Sequence, residues 1–453
     1  MRKQKIRIGS GAGYAGDRIE PAISLMEKGE LDYIIFECLA ERTISIAQKQ
    51  KKENPALGYN DLLVYRFERI FDVLKEKKVK VITNMGAANP KAAAERCRQL
   101  ADEKGLHHLK VAYVTGDDLF DKLKDYGNLP MMENGLPLSS LDVELLSANG
   151  YLGCGGIVEA LQQGADIVIT GRVADPSLTL APLIYEFGWA MDDYDKLGKG
   201  TLAGHLLECA GQITGGYYAD PGYKDVPDLW NLGFPIAEVS ADGEILITKL
   251  EDAGGLVSED TVKEQLLYEI ENPACYFTPD VIADFSKVSV KQDGPDRVLV
   301  TGAGGRAPNG YYKTSVGYHD CYIGVGEISY GGMNALERAK LAKKILEYRF
   351  AQTGLQIDEV RFDYIGYSSL YGEMHAARFD APKPAEVRLR VAARTKSLAD
   401  AKRIGEETEA LYTNGPAGGG GAEKKVKDII SIASVLIPAE DFDVRVHIIG
   451  GEA

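Results

Sequence analysis

The first half of the chain alternates short apolar runs with segments of helical periodicity. The apolar runs predict five strands, at Lys5–Ile8, Asp32–Phe36, Val79–Thr83, Lys110–Val114 and Ala165–Thr170. The segments with helical periodicity predict helices at Ile19–Lys28, Asp61–Lys77, Pro90–Lys104 and Ile157–Gln163. Strands that lack a polar face and alternate with helices are typical of a parallel sheet covered on both sides. The pattern therefore predicts a Rossmann-like α/β domain over residues 1–232.

The pattern changes after residue 232. Residues 233–332 are predicted to form a β-rich middle segment, with one helix at Glu259–Glu271 and strands at Glu238–Ser240, Glu244–Thr248 and Arg297–Thr301. Residues 333–453 return to mixed elements. Helices are predicted there at Asn334–Thr353, Leu398–Thr413 and Lys425–Leu436, and strands at Glu359–Ile365, Glu386–Ala393 and Asp443–Ile449. The order of these elements predicts an α+β, ferredoxin-like layer.

Composition narrows the class of protein. The formal net charge of −15 disfavours a nucleic-acid partner. No apolar run reaches the roughly 18–20 residues that span a bilayer, and the basic N-terminus is not followed by the apolar region of a signal peptide. The cysteines are scattered and predict free, mostly buried thiols in a reducing compartment; they are Cys38, Cys97, Cys154, Cys209, Cys275 and Cys321. We therefore expect a cytoplasmic protein without a membrane or nucleic-acid partner.

A glycine-rich segment follows the first predicted strand. Gly11, Gly13 and Gly16 match G-x-G-x-x-G, and Glu37 lies 21 residues after the third glycine, the spacing of a dinucleotide-binding site. Asp17 argues against NAD, because a carboxylate there would interact with the N–H groups that a pyrophosphate needs and would repel the phosphate. A turn without a ligand and a crevice for another ligand are the alternatives, and we favour the second.

Polar residues follow the predicted strands at the end where parallel sheets bind ligands. Arg172 is predicted to hold a carboxylate or phosphate. Glu37, Asp117 and Asp175 are candidate general acids or bases; if a metal is bound, Asp117 and Asp175 would favour Mg²⁺ or another divalent cation over zinc. The remaining candidates for substrate binding are Asp17, Arg18, Asn84, Gly11, Gly13, Gly16 and Gly86. Helix capping and turn formation are the alternative reading for the Asp, Asn and Gly residues.

Two further features are candidates for the site. His205 is predicted to lie one helical turn from Glu208 and is a candidate catalytic residue, although a histidine held by its helix neighbour explains the same spacing. Gly418 and Gly419 belong to a run of four glycines, which are costly to order. Such a run indicates either a mobile lid or backbone lying against a ligand, with a flexible connector as the alternative.

Several long motifs together resemble one family. They are Gly9–Arg18, Phe36–Thr43, Thr83–Pro90, Thr170–Pro176, Ala203–Cys209, Glu327–Tyr330 and Gly415–Gly421. These motifs resemble those of the acyclic terpene utilisation (AtuA-type) proteins over essentially the whole chain. The resemblance implies a role in bacterial catabolism of citronellol, geraniol and related branched acids through acyl-CoA intermediates. Some relatives carry a further domain of about 100 residues, so we expect a separate small partner subunit of that size and an oligomeric assembly.

Two functions are consistent with these residues. The first is a lyase, hydratase or isomerase that acts on a small branched carboxylic acid or its acyl-CoA thioester. The second is a non-catalytic subunit that binds a nucleotide or acyl-CoA within a pathway complex. The carboxylates at the strand ends favour the enzyme, because a simple anion-binding module would not need them.

Overall fold

The computed structural model of the chain describes residues 3–376, 378 and 384–451. The chain divides into two compact units, of which unit 1 comprises Met1–Gly317 with Ile432–Ala453 and unit 2 comprises Tyr318–Ser431. The helices are α1 (Glu20–Lys28), α2 (Glu41–Glu53), α3 (Leu63–Leu74), α4 (Pro90–Glu103), α5 (Gly155–Gln162), α6 (Ser177–Phe187), α7 (Tyr194–Glu208), α8 (Glu259–Leu267), α9 (Ala335–Gln352), α10 (Glu373–Ala376), α11 (Leu398–Glu409) and α12 (Leu411–Asn414).

The strands are numbered in chain order. Those up to residue 301 are β1 (Lys5–Ala12), β2 (Tyr33–Phe36), β3 (Lys80–Thr83), β4 (Lys110–Thr115), β5 (Leu145–Gly150), β6 (Ile167–Thr170), β7 (Ile236–Ser240), β8 (Ile245–Thr248), β9 (Tyr276–Phe277), β10 (Ile282–Asp284), β11 (Ser289–Gly294) and β12 (Arg297–Thr301). The later strands are β13 (Gly304–Arg306), β14 (Tyr311–Gly331), β15 (Glu359–Ile365), β16 (Glu386–Thr395), β17 (Gly419–Pro438) and β18 (Arg445–Gly450).

Unit 1 contains a mixed ten-stranded sheet. Its strand order is β11-β12-β8-β7-β1-β2-β3-β6-β4-β18, and the five central strands from β1 to β4 run parallel. Every residue of β2 and β6 is buried, as expected for strands covered on both faces. The sheet takes strands from both predicted segments 1–232 and 233–332, and β18 pairs antiparallel with β4 at one edge. The predicted mixed α/β class is confirmed, whereas the Rossmann-like layering remains a prediction.

Helices pack against this sheet through apolar residues. On one side α1, α3 and α4 form a core with the sheet, in which Phe67 and Phe71 of α3 are fully buried beside Ile34 and Val81 of the strands. Helices α5 and α6 also contact the parallel strands. The spacing of apolar residues in α3 follows helical periodicity, and this periodicity aligns its buried positions on one face. The parallel strands are thereby fixed, and their ends can position side chains accurately.

Unit 2 is built on the strand order β15-β16-β14-β17, in which β16 pairs antiparallel with both β15 and β14. Strand β16 buries alternate residues, and α9 and α11 contribute apolar residues to the core formed with it. The predicted helix Lys425–Leu436 is wrong, because these residues lie within β17. The segment includes β-branched residues, which favour strands. Near its end Val435 and Ile437 are buried, whereas Leu436 between them is exposed, as expected for a strand. The ferredoxin-like layering remains a prediction.

Two further predictions concern the cysteines and membrane-spanning segments. The six cysteines are free, and four of them are buried, as predicted. Across the described residues, we find no helix that combines the length and the apolarity needed to span a membrane.

Candidate functional site

The carboxyl ends of the parallel strands are aligned at one edge of the sheet. Ala12 at the end of β1 pairs with Phe36 at the end of β2, which in turn pairs with Thr83 at the end of β3. Thr83 pairs with Ile169 in β6. The residues that follow these strand ends therefore meet at one edge, as the sequence predicted; they are Gly13, Glu37, Asn84 and Gly171.

A cavity of about 620 Å³ opens at this edge. This volume lies within the range of small-molecule sites. Its ionisable lining residues are Glu37, Glu41, Arg172, Asp175, His205, Glu208, Glu269 and Lys313, and its aromatic lining includes Tyr14, Tyr151, Tyr268, Tyr276, Phe277 and Tyr311. The structure thus brings four predicted site residues with side-chain chemistry into one cavity: Glu37, Arg172, Asp175 and His205.

Glu37 is held at the cavity wall by neutral donors. Its Oε1 accepts hydrogen bonds from the Leu39 backbone N–H at 2.9 Å and from Asn84 Nδ2 at 2.9 Å. Asn84 is itself fixed, since its Oδ1 accepts from the Cys38 N–H at 2.7 Å. Burial and the nearby Asp175 carboxylate raise the pKa of Glu37 to about 8, against the opposing effect of Arg172. A carboxyl with this pKa carries a proton at neutral pH and can donate it.

Asp175 and Arg172 form an ion pair beside Glu37. Arg172 Nη1 donates to Asp175 Oδ1 at 2.8 Å and also to the carbonyl oxygen of Leu39. The guanidinium lies over the Tyr151 ring, 4.0 Å from its centre, which is a cation–π contact. Burial raises the pKa of Asp175 to about 6, although the Arg172 charge acts in the opposite direction. Asp175 is therefore mostly ionised at neutral pH, where Glu37 is mostly protonated.

Glu41 is the third carboxylate around Arg172. Its Oε1 accepts a hydrogen bond from the Tyr151 hydroxyl and forms an ion pair with Lys313 Nζ at 3.2 Å. Burial alone would raise its pKa, but the Tyr151 hydrogen bond and the positive charges of Arg172 and Lys313 lower the pKa to about 2. Three carboxyl groups in one cavity thus titrate at well-separated pH values. Such separation is typical of sites that use one group as an acid and another as a base.

His205 lies on α7 at another part of the cavity wall. Its Nδ1 is 2.9 Å from Glu208 Oε1, and its Nε2 is 3.2 Å from the carbonyl oxygen of Leu266. Burial lowers its pKa, but Glu208 together with the backbone hydrogen bonds at Leu266 and Gln265 outweighs burial, so the pKa is raised overall. Because both ring nitrogens already have partners, this geometry orients Glu208. The predicted catalytic role of His205 remains a prediction.

The glycine loop has a different geometry from a phosphate-binding loop. Asp17 Oδ2 accepts the Gly13 N–H at 3.0 Å, and its Oδ1 accepts the Arg18 N–H at 2.8 Å. Helix α1 begins only at Glu20. The Asp17 carboxylate thus occupies donors that a pyrophosphate would need, which is the objection to NAD that the sequence raised. Gly11 packs against the Phe36 ring, and of the three glycines only Gly13 lines the cavity.

A glycine is required at position 13 because the Cys209 backbone lies close to it. A Cβ on Gly13 would lie 2.5 Å from the Cys209 carbonyl carbon, whereas a Cβ on Gly16 would meet only the Tyr14 side chain, at 3.1 Å. We therefore expect Gly13→Ala to destabilise the protein by about 1–3 kcal/mol through overpacking. Thermal unfolding measures the effect, with Gly16→Ala as the matched control. Equal melting temperatures for the two variants would contradict this reading of the loop.

The other predicted residues lie outside the cavity lining. Asp117 is buried and accepts hydrogen bonds from Asn149 Nδ2 at 2.9 Å and from the Arg172 N–H at 3.0 Å, so it braces the loop that carries Arg172. Gly86 allows close approach of the Thr170 carbonyl oxygen. Gly418 and Gly419 belong to unit 2, where Gly419 begins β17. In the part of the chain that the structure describes, no group of three or more His, Cys, Asp or Glu side chains is arranged to hold a metal ion.

Reasoning from the sequence missed most of the other lining residues, and two of them, Tyr151 and Lys313, contact Glu41. Tyr151 follows β5 and contacts Arg172 and Glu41. Lys313 lies in β14, 272 residues from its partner Glu41. No local pattern signals Lys313, because a single lysine is usually a solvent-exposed residue.

Comparison with known proteins agrees with the motifs. The sequence model of the family described as acyclic terpene utilisation family protein AtuA matches residues 6–448. Among curated proteins, none matches the chain at a significant level. The matched region contains every residue that lines the cavity. Since the match covers nearly the whole chain, this protein belongs to the acyclic terpene utilisation (AtuA) family.

Proposed function

We propose that this protein is an acid–base enzyme of acyclic terpene utilisation, a lyase, hydratase or isomerase. Its substrate would be a small branched carboxylic acid or the corresponding acyl-CoA thioester. The observation that carries this proposal is the cluster of three carboxyl groups around Arg172, whose pKa values are about 2, 6 and 8 for Glu41, Asp175 and Glu37. The family supplies the metabolic context, since its members serve acyclic terpene utilisation.

The cluster provides both partners of a proton transfer. Glu37 holds a proton at neutral pH and would donate it to the substrate, while ionised Asp175 would accept one. Arg172 would bind a substrate carboxylate or polarise a thioester carbonyl. Hydration, dehydration and double-bond migration each need a proton added at one atom and removed at another. A module that only binds an anion would gain nothing from the ionised Asp175 and Glu41 beside its arginine, because each repels the ligand.

Growth assays with Asp175 variants test the proposal. A strain that lacks this protein would be complemented with wild type, with Asp175→Asn or with Asp252→Asn, and grown on citronellol, geraniol or 3-methylbutanoate. Asp252 is an exposed partner of Lys28 and serves as the control. We expect Asp175→Asn to reduce growth on these sources at least tenfold, since general acid–base groups contribute about 10²–10⁴-fold in rate. Normal growth with a stable Asp175→Asn protein would contradict a catalytic function.

A further inference from the structure

Among the described residues, each basic side chain that lines the cavity is paired with a carboxylate. These pairs are Arg172 with Asp175, Lys313 with Glu41, and His205 with Glu208. Glu37 carries a proton at neutral pH, because its pKa is raised to about 8. Glu269 adds one further carboxylate to the lining. The lining is therefore net negative at neutral pH, with or without a proton on His205.

The pair of Lys313 and Glu41 is accessible as well as part of the cavity lining. The two side chains are 40% and 35% exposed, respectively, whereas that of Arg172 is 2% exposed. Lys313 Nζ lies 3.2 Å from Glu41 Oε1, and the same oxygen accepts the hydrogen bond from the Tyr151 hydroxyl. Lys313 is therefore the basic side chain that a ligand in the cavity can reach most easily, and its charge is already balanced by Glu41.

A free carboxylate would be poorly accommodated in this cavity. The attraction of Lys313 for a second carboxylate is offset by the repulsion from Glu41 on the same ammonium group, and ionised Asp175 adds to this repulsion. An uncharged carbonyl group meets no such repulsion. It can still accept a hydrogen bond from Lys313, because an ammonium group has three N–H donors.

The proposed chemistry also favours an uncharged carbonyl group. Removal of a proton beside a carbonyl places negative charge on the carbonyl oxygen, and nearby cations stabilise this charge. A carboxylate carries a negative charge before the reaction begins, so it resists the change. A thioester carbonyl does not carry this charge, and both Lys313 and Arg172 lie in the same cavity.

We propose that the substrate enters the cavity with its acyl group uncharged, as a thioester, and that Glu41 is a specificity-determining residue that discriminates against the free acid by balancing the charge of Lys313. This inference rests on the proposed function, because it takes the two substrates named there and selects the thioester. Glu41 is suited to this role, since it is the first residue of α2, where the helix dipole favours a negative charge.

Binding of matched charged and uncharged compounds tests this proposal. Calorimetry at pH 7 would compare two acids, 3-methylbutanoate and citronellate, with their amides and their S-methyl thioesters on the full chain. We expect the uncharged compounds to bind at least about tenfold more tightly than the carboxylates.

Glu41→Gln should selectively improve the binding of the carboxylates. The amide keeps an oxygen that can accept from Tyr151 and Lys313 but removes the negative charge. We expect the affinity for the carboxylates to rise about tenfold, and the affinity for the thioesters to change by about twofold or less. Glu337→Gln is the matched control, because Glu337 faces Lys340 at 3.4 Å on the surface of α9 and lies outside the cavity lining. It should leave every affinity unchanged.

The possible outcomes separate the two proposals. If the carboxylates bind to the wild type as tightly as the uncharged compounds or more tightly, this inference is wrong and the proposed function stands with the free acid as substrate. If none of the compounds binds, both are wrong. Should Glu41→Gln fail to fold, Lys313→Met leaves the Glu41 charge unbalanced and should widen the preference for the uncharged compounds. A preference that is the same in a folded Glu41 or Lys313 variant as in the wild type would contradict the role of this pair.

Discussion

Replacing Glu37 with glutamine should abolish growth on acyclic terpenes and, at the same time, make the protein more stable at alkaline pH. The amide keeps the shape of the carboxyl and can still accept the hydrogen bonds from the Leu39 N–H and Asn84 Nδ2. It cannot donate a proton to a substrate or ionise. Loss of function with a gain of stability is the pattern expected of an active-site residue whose ionisation destabilises the folded protein.

The sign of the stability effect follows from the raised pKa. The pKa of Glu37 is about 8 in the folded protein, compared with an ordinary value of 4.5. Between these two pH values the folded state holds a proton that the unfolded state has lost, so the contribution of Glu37 to stability falls as pH rises. Glu37→Gln removes this fall. Its advantage over wild type should be small at pH 5 and should grow to the order of 1–3 kcal/mol at pH 8.

Urea unfolding at pH 5 and pH 8 measures this advantage. Glu144→Gln provides the control, because Glu144 is a largely exposed surface glutamate whose substitution should not change the pH dependence. A Glu37→Gln protein that is equally stable or less stable than wild type at pH 8 would show that Glu37 ionises normally. Full growth of that variant would show that the proton of Glu37 is not used.

Replacing Arg172 with methionine should strongly destabilise the protein at pH 8. Arg172 donates to the Leu39 carbonyl oxygen and to Asp175, and its guanidinium stacks on Tyr151. Its charge also favours the ionised forms of Glu37 and Asp175. Removing one partner of a buried ion pair costs about 3–5 kcal/mol, and because the Asp175 and Glu41 side chains are about one-third exposed, the loss should lie at the lower end of this range, about 3 kcal/mol. We expect a loss of this size, together with loss of ligand binding.

The effect of Arg172→Met should shrink in acid. At pH 5 Glu37 and Asp175 are protonated in the folded protein, so they gain little from the guanidinium, and only Glu41, with a pKa of about 2, remains ionised. The destabilisation at pH 5 should therefore be smaller than at pH 8 by at least about 1 kcal/mol. Unfolding midpoints at both pH values provide the comparison, with the exposed Arg445→Met as control. A loss that does not depend on pH would mean that Arg172 acts through packing alone.

Much of this site could be anticipated from the sequence because parallel sheets align their strand ends. Each apolar run ends in a polar loop, and the register between β1, β2, β3 and β6 brings the residues after these ends together. Glu37, Arg172 and Asp175 were found in this way. Strand register determines which residues reach this edge of the sheet but not the direction of each side chain. Asp117 shows the difference, since it follows β4 and yet points into the loop that supports Arg172.

Other features could not be predicted because they depend on contacts between distant residues. Lys313 reaches Glu41 only through the fold, and Tyr151 gains its role from the guanidinium beneath its ring. The segment around Val435 has apolar residues that fit either a helix or a strand. The pairing of β17 with β14 decides between them. The glycine fingerprint, by contrast, could be judged from local residues, because Asp17 already argues against a dinucleotide in the sequence. The Asp17 carboxylate takes the donor of Gly13 that the fingerprint normally offers to phosphate.

The proposed chemistry depends on the proton that Glu37 carries at neutral pH, in a cavity beside ionised Asp175. Infrared spectroscopy with carboxyl-labelled glutamate measures this directly, since a protonated carboxyl gives its own carbonyl band. We predict one glutamate band that persists at pH 7, disappears with a midpoint near the pKa of about 8, and is absent from Glu37→Gln. A spectrum in which no protonated glutamate remains at pH 6, or in which the band is unchanged in Glu37→Gln, would contradict the proposed acid–base site.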